Sequence, residues 1–252
     1  MSFVAVIVAA GSSLRAGAGL PKPWRQVGGK IVTRWSVEAM IEAGAAQVIV
    51  VAAEDHQETA RKALGDLPNW SVIVGGASRA ESVSLGLAAL SADPETPVLV
   101  HDAARPFLTS DHVHRLLAAL EDHDGAILAL PVTDTLKRGD DQIVDNVDRQ
   151  GLWRAQTPQA FRLGALSQAY KAWTSQTEPT DDAQVAGAQG ASIALVPGDP
   201  RLMKLTYPED FMLAEQLCAQ TRIEVDPALA KSAAVVELLE ALINQGSLGF
   251  AD

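Results

Sequence analysis

Cysteine is almost missing from this sequence: Cys218 is the single thiol among 252 residues. An internal disulfide framework is therefore excluded, and such usage fits a reducing compartment. Long apolar runs are missing as well. The longest is Phe3–Ala10, far short of the roughly 20 residues a membrane helix needs. No basic residue stands between Met1 and that run, so no secretory signal is read there. Net positive charge is lacking too, with 20 Lys and Arg against 31 Asp and Glu and a formal charge of −11. So acidic a chain repels a nucleic-acid backbone. The expectation is a cytoplasmic protein with no nucleic-acid and no membrane partner.

One absence is local. Residues 1–37 hold no Asp or Glu but carry Arg15, Lys22, Arg25, Lys30 and Arg34, so this stretch is +5. A basic segment on an acidic body suits a small, strongly anionic ligand; chance clustering on a solvated face is the plainer alternative. Apolar residues make up 48% and charged residues 20%, the balance of a well-packed globule rather than a disordered chain. No internal repeat or low-complexity segment interrupts it.

The chain alternates two patterns. Phe3–Ala9, Gln47–Ala52, Ser71–Val74, Pro97–His101 and Ala126–Pro131 are short apolar runs without polar alternation, as strands buried on both faces require. Between them Val32–Ala43, Gln57–Leu64, Arg79–Leu90 and Ser110–Leu120 read as helices, the third with Val83, Leu87 and Leu90 on one stripe. This predicts an α/β fold: a doubly wound, mostly parallel sheet with helices on both faces and ligands at the carboxyl ends of the strands. Residues 132–150 break the pattern as a polar excursion around a turn at Arg138-Gly139-Asp140-Asp141, long for a structureless connection and readable as a hairpin arm. Helices are expected near 162–173, 180–188 and 208–219, a strand near Ser192–Val196, and an amphipathic helix over 227–245. The division expected is a main domain over 1–220, with the arm inside it, and a helical tail over 221–252.

Three segments carry chemistry. The first run leads into Ala9-Ala10-Gly11 and on to Arg15 and Lys22; small residues let backbone amides approach a polyphosphate, and two cations can close over it. It is no Walker A loop, since no Gly-Lys-Ser/Thr follows, and Pro21 and Pro23 bar a dinucleotide fingerprint. A flexible turn would look similar. Gly75-Gly76-Ala77-Ser78-Arg79 follows a strand and opens a helix, a place for a base, ribose or phosphate, or a plain turn capped by Ser78. His101-Asp102-Ala103-Ala104-Arg105-Pro106 ends a strand, where a carboxylate can meet a phosphate-bound Mg²⁺ or serve as a helix cap. His101 reads as a structural imidazole, and His112 and His114 lack the partners of a zinc site.

Taken in order with Pro131-Val132-Thr133-Asp134-Thr135, Asp148-Arg149, Ala155-Gln156-Thr157-Pro158-Gln159, Thr180-Asp181-Asp182-Ala183 and Lys204, these blocks resemble the 2-C-methyl-D-erythritol 4-phosphate cytidylyltransferase family of the non-mevalonate isoprenoid pathway. The resemblance runs from about residue 3 to 216. It implies a nucleotidyltransferase Rossmann-like fold and an Mg²⁺-dependent reaction of CTP with a polyol phosphate. Ala9, Ala10, Gly11, Arg15 and Lys22 would hold the triphosphate, with Gly76, Ser82 and Ala103 at the nucleotide and Asp102 on the metal. Arg105, Thr157, Thr180 and Lys204 would line the sugar-phosphate site. The arm would reach a second subunit, with Thr135 and Arg149 completing the partner's site in a homodimer. Some family members are fused to a second enzyme; with roughly 36 residues beyond the matched region, no further catalytic domain is expected within this sequence.

Several positions depart from the family pattern: Ser13, Pro23, Ala77, Gly187 and Leu202. Ala77 bears on the base site and Leu202 on the packing around Lys204. Two other readings stay open, a cytidylyltransferase for another polyol phosphate such as ribitol 5-phosphate, and a non-catalytic nucleotide-binding paralogue.

Overall fold

The apolar runs become the central sheet. In the computed structural model of the chain, residues 2–11, 20–175 and 177–225 are described, with side chains as far as Gln220. The first half gives β1 (Phe3–Val8), a two-residue hairpin β2 (Gln26–Val27) and β3 (Lys30–Ile31), α1 (Val32–Glu42) and β4 (Ala45–Ala52). There follow α2 (Gln57–Leu64), β5 (Trp70–Val74), α3 (Arg79–Ala88), β6 (Pro97–Asp102), α4 (Ser110–Ala119) and β7 (Gly125–Pro131). The arm is β8 (Leu136–Gly139) and β9 (Ile143–Val147), and the chain then runs through β10 (Trp153–Arg162), α5 (Leu163–Ala172) and α6 (Asp182–Gly187). It closes with β11 (Ile193–Pro197) and α7 (Pro208–Val225). The expected tail helix at 227–245 lies outside the described residues.

Seven strands form one sheet in the order β11-β7-β10-β6-β1-β4-β5. Its pairings are parallel except those of β10, which runs antiparallel to both β6 and β7. Alternation along β1 divides the core. Phe3, Ala5 and Ile7 pack with Val37 and Met40 of α1, Leu64 of α2 and Leu116 of α4. Val4 and Val6 pack on the other face with Val83 and Leu87 of α3 and Leu163 and Leu166 of α5. Helices thus cover both faces, and each residue of β1 has a core to enter.

The chain winds from β1 to β4 and β5 on one side, then returns to place β6 on the other side of β1. That reversal opens a crevice at the carboxyl ends of β1 and β6, the usual place for a ligand in such sheets. Close packing fixes α3 beside it. A Cβ built on Gly86 would lie 2.5 Å from Val6 Cγ1 and 3.0 Å from Val51 Cγ2. Gly86→Ala should therefore cost about 1–3 kcal/mol through overpacking, read as an earlier urea midpoint with an unchanged slope.

The excursion at 132–150 is a hairpin outside the main sheet, with Leu136 facing Val147 and Lys137 facing Asn146. Ile143 and Val144 are 69% and 79% exposed. Across its base, Val132 N–H donates to Leu152 O at 3.0 Å, and Arg149 Nη1 donates to the Thr133 carbonyl. No helix among the described residues is long and apolar enough to cross a membrane.

Candidate active site

A cavity of about 390 Å³ opens at the β1–β6 crevice, and Ala10, Gly11, Lys22, Gly76, Ser82, Asp102 and Lys204 from the sequence reading line it. Two further residues close the backbone around it. Ala9, 3% exposed, donates its N–H to Val51 O at 2.7 Å, and fully buried Ala103 donates to Val8 O at 3.0 Å. Both extend the sheet one residue beyond the ends of β1 and β6 without themselves reaching the cavity. Arg15 and Ser13 lie outside the described residues.

Two of the charged wall residues, Lys22 and Lys204, are anchored by apolar neighbours. Lys22 opens a 3₁₀ turn, Lys22–Trp24, that is pinned by Trp24 in the core and by a 2.7 Å hydrogen bond from Thr33 Oγ1 to Pro23 O. Lys204 stands between fully buried Leu202 and Leu205, and Leu205 N–H donates to Ala104 O at 2.8 Å. At the third segment, Ser78 caps α3 by accepting from Glu81 N, while Ser82 Oγ accepts from Gly76 N at 3.1 Å. The turn capped by Ser78 is also part of the cavity wall.

Asp102 is the centre of charge. Its Oδ1 accepts from Arg79 Nε at 3.1 Å and its Oδ2 from Lys204 Nζ at 2.7 Å. Burial opposes its ionisation, yet Arg79 and Lys204 outweigh that and hold the carboxyl well below the usual range. It is no helix cap, because Thr109 caps α4. Arg79, to which the sequence pattern assigns no role, also lines the cavity. Burial works against its charge, but Asp182 and Asp102 more than compensate and raise its pKa. Its signal in the sequence was the first position of a helix that opens at a strand's carboxyl end.

Behind this wall β10 ties three loops together. Thr157, 4% exposed, accepts from Asp102 N–H at 3.0 Å and lies 3.1 Å from His101 Nδ1. His101 Nε2 is 3.0 Å from Arg105 O, an acceptor, so Nε2 carries the proton and Thr157 O–H donates to Nδ1. Burial lowers the His101 pKa to about 4; it is the structural imidazole expected. Gln156 takes Asp199 N–H on Oε1 at 3.1 Å and donates Nε2 to Asp199 O at 2.9 Å and to Leu202 O at 3.3 Å. Gln159 donates to Asp181 at 3.0 Å and accepts from Ala183 N at 2.9 Å.

Thr157 therefore supports Asp102 from behind instead of lining the cavity. Thr157→Val keeps the shape and strands two buried groups, so it should cost about 1–3 kcal/mol and lower turnover, while Thr157→Ser should restore both. Paired denaturation and rate measurements check this. Arg105 also stands behind the wall: Nη1 donates to Leu202 O at 2.8 Å, its Nε is buried without a hydrogen-bond partner, and burial lowers its pKa. Thr180 is exposed and bound to Gln184 Oε1 through N at 2.7 Å and Oγ1 at 3.0 Å. Thr135 and Arg149 are exposed on the arm and do not line this cavity.

The departures can be placed as well. Ala77 N–H donates to Glu81 Oε2 at 2.7 Å, so an acidic group still meets this loop, from one turn further on. Leu202 is fully buried in the core; its carbonyl, not its side chain, holds the site. Gly187 ends α6, where a Cβ would meet only Ile193 Cδ1 at 3.8 Å.

For a divalent cation, Asp102 is the single carboxylate on the cavity wall among the described residues, which also hold no cluster of three His, Cys, Asp or Glu. That donor set fits Mg²⁺ shared between one carboxylate and a ligand's phosphates, its ordinary mode, and not an all-protein cage.

The family model for 2-C-methyl-D-erythritol 4-phosphate cytidylyltransferase matches residues 3–220. The chain belongs to that family. It is 53% identical over 225 residues to a bifunctional enzyme IspD/IspF of Caulobacter vibrioides, across 88% of this chain and 59% of that protein. A bifunctional enzyme IspD/IspF of Rhizorhabdus wittichii is 47% identical across 86% of this chain and 56% of its own length. The chain thus spans little more than half of these curated relatives. Among solved structures, a 4-diphosphocytidyl-2C-methyl-D-erythritol synthase matches with TM-score 0.75 and 35% identity over 86% of this chain and 98% of its own. The family's enzyme from Thermus thermophilus matches with TM-score 0.72 and 35% identity, over 87% and 100%. The fold class and family resemblance read from sequence are borne out.

Proposed function

We propose that this protein transfers the cytidylyl group of CTP to the phosphate of 2-C-methyl-D-erythritol 4-phosphate, releasing pyrophosphate. The observation that carries the reading is a cavity lined by three cations, Lys22, Arg79 and Lys204, the last two paired with Asp102 on its wall. A phosphate monoester oxygen, already ionised near neutral pH, attacks the α-phosphorus in line and displaces pyrophosphate. No general base is required. Catalysis then consists of holding two anions together and neutralising the charge that builds up between them. Lys22 and Arg15 are assigned to the triphosphate and Lys204 to the transferring phosphate. Ala10, Gly11 and Gly76 are assigned to the nucleotide's path, with Ser82 bracing the loop by accepting from Gly76 N. Mg²⁺, held by Asp102 and the phosphates, would neutralise their charge and orient them.

The polyol phosphate is assigned to Thr180 of the same chain and to Thr135 and Arg149 of a second copy, the arm joining two chains into a homodimer. Arg105 and Thr157 support this site from behind. The cytoplasm is the setting we assign, in keeping with the lone buried thiol. The deciding experiment measures pyrophosphate release with CTP and a panel of polyol phosphates. Turnover with 2-C-methyl-D-erythritol 4-phosphate should exceed that with ribitol 5-phosphate by at least about a hundredfold. Preference for another polyol would overturn the substrate, and no turnover with any would leave a nucleotide-binding protein.

A further inference from the structure

Asp182 is a carboxylate that the proposed chemistry does not use. It is fully buried at the start of α6, and three donors converge on it. Arg79 gives Nη1 at 3.2 Å and Nη2 at 2.8 Å, and Tyr170 gives its hydroxyl at 2.6 Å. The same guanidinium reaches Asp102 through Nε at 3.1 Å. One arginine thus spans two carboxylates, one on the cavity wall and one sealed behind it.

The charges around Asp102 are lopsided without this partner. Arg79, Lys204 and Arg105 all lower its pKa, three cations against one carboxylate. Such crowding favours a polyphosphate but opposes a divalent cation. A buried carboxylate touching Arg79 is little screened by water, so it draws off part of the charge that Arg79 would otherwise direct at Asp102. We propose that Asp182 is a positioning counter-ion, which holds Arg79 in place and keeps Asp102 open to the divalent cation. The inference rests on the assignment of Asp102 to Mg²⁺. It makes Asp182 a determinant of the balance between metal and nucleotide binding, although it touches neither.

The test uses Asp182→Asn, which keeps the shape and the acceptor for Tyr170 but removes one negative charge. Calorimetry in EDTA should show CTP binding about fivefold tighter, while the Mg²⁺ concentration for half-maximal turnover rises about fivefold. A merely structural lesion weakens both, so the opposite signs identify a counter-ion. Tyr170→Phe removes a hydrogen bond without a charge and should move each constant by no more than about twofold. Arg79→Gln combined with Asp182→Asn removes a cavity-wall cation together with its counter-ion, so CTP affinity and turnover should fall, while the Mg²⁺ concentration for half-maximal turnover should stay within about twofold of wild type. This double variant decides the matter if the single one does not fold. Shifts in the same direction, no shift, or a double variant whose half-maximal Mg²⁺ concentration rises as in the single variant would overturn the counter-ion role. Asp102→Asn runs alongside: if it keeps wild-type Mg²⁺ dependence, the metal assignment itself falls, and otherwise a negative result concerns Asp182 alone.

Discussion

Two inactive variants of this protein should regain activity when mixed. Lys22 lies on the cavity wall, whereas Arg149 sits at the base of the arm, where it donates to Thr133 O and does not reach that cavity. Loss of one preorganised charge-stabilising group lowers turnover by about 10²–10³, and that is the expectation for Lys22→Ala and Arg149→Ala separately. If Arg149 serves the neighbouring copy, a mixed dimer has one site carrying both defects and one carrying neither. Activity per mixed dimer should then approach about half of wild type, the fraction set by two-fold symmetry. Arginine matters here because its planar fork gives a phosphate two parallel hydrogen bonds, which lysine does not reproduce. Subunit exchange followed by rate measurement reads the outcome. A monomer in sedimentation, or no recovery in proven mixed dimers, would rule out the shared site.

Asp102→Asn should reduce turnover by at least about 10² while leaving the fold in place. The strand end that carries the side chain is held by backbone bonds, Asp102 N–H to Thr157 Oγ1 at 3.0 Å and Ala103 N–H to Val8 O at 3.0 Å. Neither depends on the carboxylate. The amide is a poor ligand for a hard cation and leaves Arg79 and Lys204 without their shared anion. Turnover measured across a Mg²⁺ titration, with circular dichroism to confirm folding, checks the result. Unchanged metal dependence would remove Asp102 from the metal site.

The sequence made the centre of the sheet readable because its inner parallel strands are buried on both faces and so appear as largely apolar runs. Phe3–Val8 and Pro97–Asp102 are examples. It concealed β10, whose central residues Gln156, Thr157 and Gln159 are polar yet buried. A strand is recognised by its apolar content, and here the buried face is spent on hydrogen bonds. The arm was legible from the opposite cue, a polar stretch around a glycine turn. Asp102 and Lys22 were legible as charges at strand ends and in a basic loop. Arg79, Asp182 and Tyr170 were not read together because their contacts join residues as far as 103 positions apart, and no local pattern records such a meeting.

The glutamine and arginine that hold the 199–202 loop reach its main chain: Gln156 bonds to Asp199 N and O, and Arg105 bonds to Leu202 O. Main-chain groups are the same whatever residue supplies them. The loop can therefore vary its exposed side chains over evolutionary time while Lys204 stays in place, whereas the side chain at 202 also fills the core and must stay apolar. The constraint falls on the holders. A substitution at Gln156 would be felt through every sequence the loop adopts, so drift is permitted in the clasped segment and forbidden in the clasp.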